Sequence, residues 1–145
     1  MSLKRMATIF VTASIVNLFA VYTATAQSAD SEHKVYPIHF PTNSSKLDAA
    51  DRDTIRGVAA SLQADPALGA IIIGKADKAG SAEYNLKLSQ HRAEAVLEAL
   101  VYANKVPESR VEVRWAGEHL PYLPTEEQKA EMLNRVVEII VHKAE

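Results

Sequence analysis

From residue 35 onward the apolar and polar positions fall into blocks whose period switches between two and about 3.6. Residues 35–40, Val-Tyr-Pro-Ile-His-Phe, read as a strand, and Pro37 makes it an edge strand or a first strand. Residues 41–45 form a loop, and Asp48 is placed to cap a helix. Ile55, Val58, Ala59 and Leu62 follow the spacing of one helix face, and Asp65-Pro66 ends it. Residues 68–74 contain Ile71-Ile72-Ile73, a short β-branched run that predicts a strand covered on both faces. A charged turn, residues 74–80, leads to a long helix beginning near Ser81. Its apolar stripe is Leu86, Ala93, Val96, Leu97, Leu100 and Val101, and Pro107 requires it to end by Lys105. Residues 110–116 then alternate, with Val111, Val113 and Trp115 on the face expected to join the core. A loop holds Pro121 and Pro124, and Thr125, with Gln128 as capping-box partner, predicts a short helix to about Leu133. Residues 136–141 form the last strand. The order β-α-β-α-β-(α)-β predicts an α/β (α+β) sheet with helices on one face.

The first 26 residues have a different pattern. Lys4 and Arg5 precede a largely apolar run, and Ala24-Thr25-Ala26 closes it with the small-x-small spacing of a signal-peptidase site. The competing reading is a retained membrane anchor, since the run approaches the roughly 20 residues that span a bilayer. Thr8, Thr12, Ser14, Asn17 and Thr23 dilute it, and the cleavage pattern favours an exported, cleaved chain. The expected organisation is a signal peptide at 1–26, a short polar leader at 27–34 and one domain at 35–145, with no transmembrane segment after cleavage. The periplasm is the expected compartment, and any outer-membrane attachment would come from a partner.

The formal charge of −2 gives no basic excess for nucleic acid, so no nucleic-acid partner is expected. The absence of cysteine removes disulfides, thiolate metal sites and a thiol nucleophile, and it suits an oxidising compartment. His33, His39, His91, His119 and His142 have no metal-ligand spacing, and no nucleophile elbow or phosphate loop is present. The chain is therefore read as a binding protein, not an enzyme, with no metal and no cofactor.

The one chemical constellation lies in residues 74–96. With Ala93 at the centre of the helix stripe, Asn85, Leu88 and Arg92 line one flank, displaced by roughly 80° to 140°. Asp77 lies in the turn that feeds this helix. A carboxylate and a guanidinium framing one pocket suit a zwitterion: its carboxylate on Arg92, its ammonium on Asp77. A solvated helix charge and a turn-forming aspartate account for the same pattern.

The ordered blocks Gly80-Ser81-x-x-Tyr84-Asn85-x-x-Leu88-Ser89-x-x-Arg92-Ala93-x-x-Val96, Phe40-x-x-Asn43-Ser44-x-x-Leu47, Gly117-Glu118-x-x-Pro121 and Asn134-Arg135-x-Val137-Glu138-Ile139 resemble those of OmpA-like domains. The resemblance runs from about Val35 to Lys143. It implies a two-layer sandwich with a mixed four-stranded sheet, and noncovalent binding of peptidoglycan. Asp77 and Arg92 occupy the places that hold the diaminopimelate residue of the stem peptide in that family. Asn43, Leu88 and Ser89 match positions lining the same cleft, and Asn85 and Arg135 match positions bordering it.

Three departures accompany the resemblance. Lys75 and Ala76 stand where the family has histidine and threonine, Val136 replaces a second arginine, and Pro41-Thr42 alter the first loop. An ammonium at Lys75 is placed to pair with Asp77 and compete with the ligand, which predicts weakened affinity. The alternative reading is a protein-interaction module of an envelope complex that keeps the fold with a weakened glycan site.

Overall fold

The computed structural model describes residues 33–119 and 131–143. Strand β1 (Lys34–His39) is followed by α1 (Ala49–Ala64), β2 (Leu68–Gly74), α2 (Ala82–Leu97), β3 (Val111–Trp115) and β4 (Val136–Lys143). The four strands form one mixed sheet in the order β1-β4-β2-β3. Strand β4 runs antiparallel to both β1 and β2, while β2 and β3 are parallel. The signal-like residues 1–26 and residues 125–130 of the helix expected from Thr125 to about Leu133 lie outside the described residues. Where that helix is expected to end, Glu131 is extended and Met132–Asn134 form a single 3-10 turn, and Lys34, assigned by sequence to the leader, already belongs to β1.

Both helices pack on the same face of the sheet. Ile55, Val58 and Leu62 of α1 and Ala93 and Val96 of α2 share one core with Ile38, Ala70, Ile72, Val137, Ile139 and Val141. Helix α1 starts where the sequence places it. The Asp48 side chain accepts from the Asp51 N–H, and the Asp51 side chain accepts in return from the Asp48 N–H, a reciprocal capping box. An Asp48→Ala change removes one half of it, so a drop of about 1 kcal/mol is expected in a urea or thermal melt. At the other end Arg110 donates through Nε and Nη2 to the carbonyls of Leu68 and Asp65, clamping the connection from α1 to β2.

Four expectations from the sequence change. The long helix does not continue as one α-helix to Lys105: it widens into a π-helical segment, Glu98–Ala103, and Asn104 Nδ2 donates to the Ala99 carbonyl there. Lys105 then takes a left-handed backbone, φ 61°, before Pro107. Leu86 is not core but 40% exposed, because the buried arc of α2 is Asn85, Ser89, Arg92, Ala93 and Val96. Strand β2 is fully covered on one face only: Ile72 is buried under the helices, while Ile71 and Ile73 on the far face are half-buried. Trp115 is not core either. Its register opposite Gly74 puts it on the helix-side face, but at the end of the outermost strand, where it is 42% exposed.

Candidate functional site

The charged cluster forms where β1 ends, β2 ends and β4 begins. Its floor is Phe40, just past β1. The Phe40 N–H donates to the Arg135 carbonyl at 2.8 Å, and Arg135 Nε donates to the Phe40 carbonyl at 3.1 Å. The Phe40 ring lies beneath the Arg92 guanidinium, 5.4 Å from centroid to Cζ, close enough for a cation–π contact.

Arg92 is fully buried, and its donors go to backbone carbonyls. Nε donates to Ser44 at 2.8 Å, Nη2 to Pro41 at 3.1 Å and Nη1 to Lys75 at 3.3 Å. The guanidinium therefore joins the loop after β1 to the turn after β2. A guanidinium has five N–H groups, so two remain for other acceptors. Burial lowers its pKa well below the ordinary guanidinium value, to about 10; Asp77 opposes the shift and Arg135 adds to it. It stays charged at neutral pH.

Asp77 is buried in the turn between β2 and α2. Its Oδ2 accepts from Arg135 Nη1 at 3.0 Å, and its Oδ1 accepts from the Ala79 N–H at 3.3 Å. A carboxylate offers about four lone-pair sites, so acceptor capacity remains. The cluster thus sets two guanidiniums, Arg92 and Arg135, against one carboxylate.

Asn85 and Ser89 are buried on the inward arc of α2, and both are committed to the turn after β3. Asn85 Nδ2 donates to Glu118 Oε2 at 2.7 Å. The Ser89 hydroxyl donates to the Leu86 carbonyl and accepts from the Gly117 N–H at 2.9 Å. Gly117, at φ +57°, takes a backbone conformation that a side chain disfavours, and its carbonyl accepts from the Ala76 N–H at 2.8 Å. Leu88 is half-buried. Asn43 is exposed on the first loop in a left-handed conformation, φ 51°, which asparagine tolerates.

The structure thus brings Asp77, Arg92 and Arg135 together, holds Asn85 and Ser89 one layer behind, and leaves Asn43 and Leu88 at the margin. Lys75 does not pair with Asp77. Its ammonium meets Glu138 Oε2 at 2.8 Å, because both side chains lie on the far face of the sheet. Ala76 and Val136, at two of the departures, are buried. Sequence reasoning missed Phe40 as the floor, although Phe40 opens one of the motif blocks.

Among the described residues, no group of three or more His, Asp or Glu side chains is placed to hold a metal ion, and no helix is long and apolar enough to cross a membrane.

A helix-backed mixed sheet with an Arg–Asp–Arg cluster at one end defines a two-layer α/β domain. Residues 39–138 match the OmpA family, and the chain belongs to it. It is 32% identical over 102 residues to the probable lipoprotein YiaD of Escherichia coli K12, covering 70% of this chain and 46% of that protein. It is 41% identical over 58 residues to outer membrane protein A of Klebsiella aerogenes, covering 39% of this chain and 16% of that protein. The chain thus spans less than half the length of these curated relatives. Among solved structures, the peptidoglycan-associated lipoprotein of Burkholderia pseudomallei superposes with a TM-score of 0.67 at 26% identity, covering 73% of this chain and 89% of that one. The C-terminal domain of Helicobacter pylori MotB superposes at 0.65 with 20% identity, covering 75% and 85%.

Proposed function

We propose that this chain binds peptidoglycan noncovalently in the periplasm, taking the zwitterionic end of a diaminopimelate residue at the Asp77–Arg92–Arg135 cluster. The observation that carries this reading is the excess of guanidinium over carboxylate. A buried guanidinium at Arg92 and a partly exposed one at Arg135, set against one acid, favour an incoming anion, and Asp77 retains acceptor capacity for the ammonium beside it. The structural relative named as a peptidoglycan-associated lipoprotein supports the coarser part of this reading, association with peptidoglycan.

The residues divide the work. Arg135 is the more open guanidinium, with 12% of its side chain exposed, and it meets the ligand carboxylate first. Arg92, behind the carbonyls of Pro41 and Ser44, contributes charge and holds the loop that carries Asn43. Asn85 and Ser89 are positioning residues for the Gly117–Glu118 turn, and Leu88 and Asn43 form the rim. With Lys75 committed to Glu138, competition for Asp77 is removed as a reason for weak binding.

A diaminopimelate side chain ends in a carboxylate beside an ammonium, whereas a lysine side chain ends in the ammonium alone. Calorimetric or NMR titration is therefore expected to rank diaminopimelate-type above lysine-type stem peptides, with affinities of roughly micromolar to millimolar, about −8 to −4 kcal/mol. Asp77→Asn should weaken both ligands. Equal affinity for the two peptides, or no chemical-shift change at Asp77 and Arg135 with either, would remove the reading. An envelope protein as partner is the second reading, and the exposure of Leu86 (40%) and Trp115 (42%) favours it. A pull-down with purified sacculi separates the two, since only the first retains the chain on the wall alone.

A further inference from the structure

We propose that a second cleft, on the helix side of the first loop, is a carboxylate-receiving subsite for the part of the stem peptide that flanks diaminopimelate. This rests on the function proposed above.

The cleft is a broadly open depression of about 580 Å³ between the loop, the start of α1 and the π-helical end of α2. That is within the roughly 300–1,000 Å³ of small-ligand sites. A smaller recess of about 250 Å³ adjoins it and shares Arg52, Ala99 and Ala103.

Its floor is Ala95, Ala99 and Ala103, spaced one helical turn apart, so a guest backbone approaches closely. Tyr102, 58% exposed, forms one wall. Lys46 and Arg52 bring two cations to the rim. Among the described residues neither side chain has an ion-pair partner. The acids nearest in sequence are engaged elsewhere: Asp48 and Asp51 in the capping box, Asp53 with Arg56 at 2.6 Å. Glu94 accepts from Gln90, which leaves Glu98 as the acid lining the cleft. Two uncommitted cations converging on one cleft, in a chain of net charge −2, call for an anionic guest.

One loop serves both sites. The Ser44 carbonyl accepts from Arg92, and the next three residues, Ser45, Lys46 and Leu47, line the cleft. The loop therefore touches the Arg92 guanidinium on one side and borders the cleft on the other. A stem peptide is short and alanine-rich, and it carries free carboxylates on either side of diaminopimelate. Its methyl groups match the alanine floor and its carboxylates match Lys46 and Arg52.

The test titrates the chain with free diaminopimelate and with a diaminopimelate-type muropeptide that retains its neighbouring free carboxylates. The double variant Lys46→Ala, Arg52→Ala should lose about ten- to a hundredfold in muropeptide affinity and keep its affinity for free diaminopimelate. Both side chains are exposed, so the melting temperature should not move. Unchanged muropeptide affinity in the double variant would overturn the subsite. Equal binding of oligoglutamate at the same residues would overturn its assignment to the wall. If free diaminopimelate fails to bind while muropeptide binding still depends on Lys46 and Arg52, the cleft stands and the Asp77 cluster loses its proposed ligand.

Discussion

Arg92→Ala is expected to cost about 3–5 kcal/mol of stability and to abolish retention on sacculi. The sequence predicts a milder result, because a side chain flanking the apolar stripe leaves no core cavity when truncated. The structure reverses that expectation. Arg92 is the largest fully buried side chain among the described residues, and its loss strands three carbonyls, at Pro41, Ser44 and Lys75. It also exposes the Phe40 ring beneath it and leaves Asp77 with Arg135 alone. Arg92→Lys should fall between wild type and alanine. An ammonium keeps the charge, but it lacks the planar fork that reaches three acceptors at once. The lowered pKa of about 10 fits this picture. The charged form is disfavoured in the folded chain throughout neutral pH, and the penalty fades only as pH rises beyond about 10 towards the ordinary guanidinium value. A ligand carboxylate offsets the same penalty, so binding and stability are linked at this residue. Urea denaturation with and without a diaminopimelate peptide measures both. An unchanged midpoint in Arg92→Ala would refute the structural part.

The local rules of the sequence carried the architecture. Asp48, the Ile55–Val58–Ala59–Leu62 face, the three isoleucines and Pro107 each give a start, a face or a stop from neighbouring residues alone. The site was legible differently. Asn85, Ser89 and Arg92 face inward with Ala93 and Val96, so the buried arc of α2 is centred roughly 50° from Ala93. A search for apolar periodicity cannot see an inward stripe whose first half is polar, and it gives Leu86 a place that Asn85 and Ser89 occupy. Asn85 and Arg92 were legible only as a flank of the apolar stripe, and Ser89 only through the spacing of the whole motif. Lys75 and Trp115 show the other limit. Two residues separate Lys75 from Asp77 in sequence, but its partner Glu138 arrives from β4, a pairing set by sheet register. Trp115 alternates correctly with Val111 and Val113, yet its exposure depends on β3 being the outermost strand, which is a property of strand order.

Gly74→Ala is expected to cost about 3 kcal/mol or more, with a fall of roughly 10 °C or more in melting temperature. Helix α2 crosses β2 directly over this residue. A Cβ at Gly74 would stand 2.1 Å from the Ser89 carbonyl oxygen, 3.0 Å from its carbon and 3.1 Å from Ala93 Cβ. Two of those atoms are helix backbone, so no rotamer change relieves the overlap. The helix must lift, and Ser89 and Arg92 lift with it. The Ser89 hydroxyl would then release the Gly117 N–H, and Arg92 would draw away from the carbonyls of Pro41 and Ser44. A one-carbon change in the sheet should therefore weaken ligand binding at a cluster it does not touch. Gly57→Ala supplies the contrast. A Cβ there meets nothing within 4 Å, on an exposed position inside α1, and the lower backbone entropy of alanine should stabilise the chain by about 0.5–1 kcal/mol. Thermal melts of the two variants should move in opposite directions. Gly74→Ala melting at the wild-type temperature would mean that α2 does not rest on β2 at this crossing.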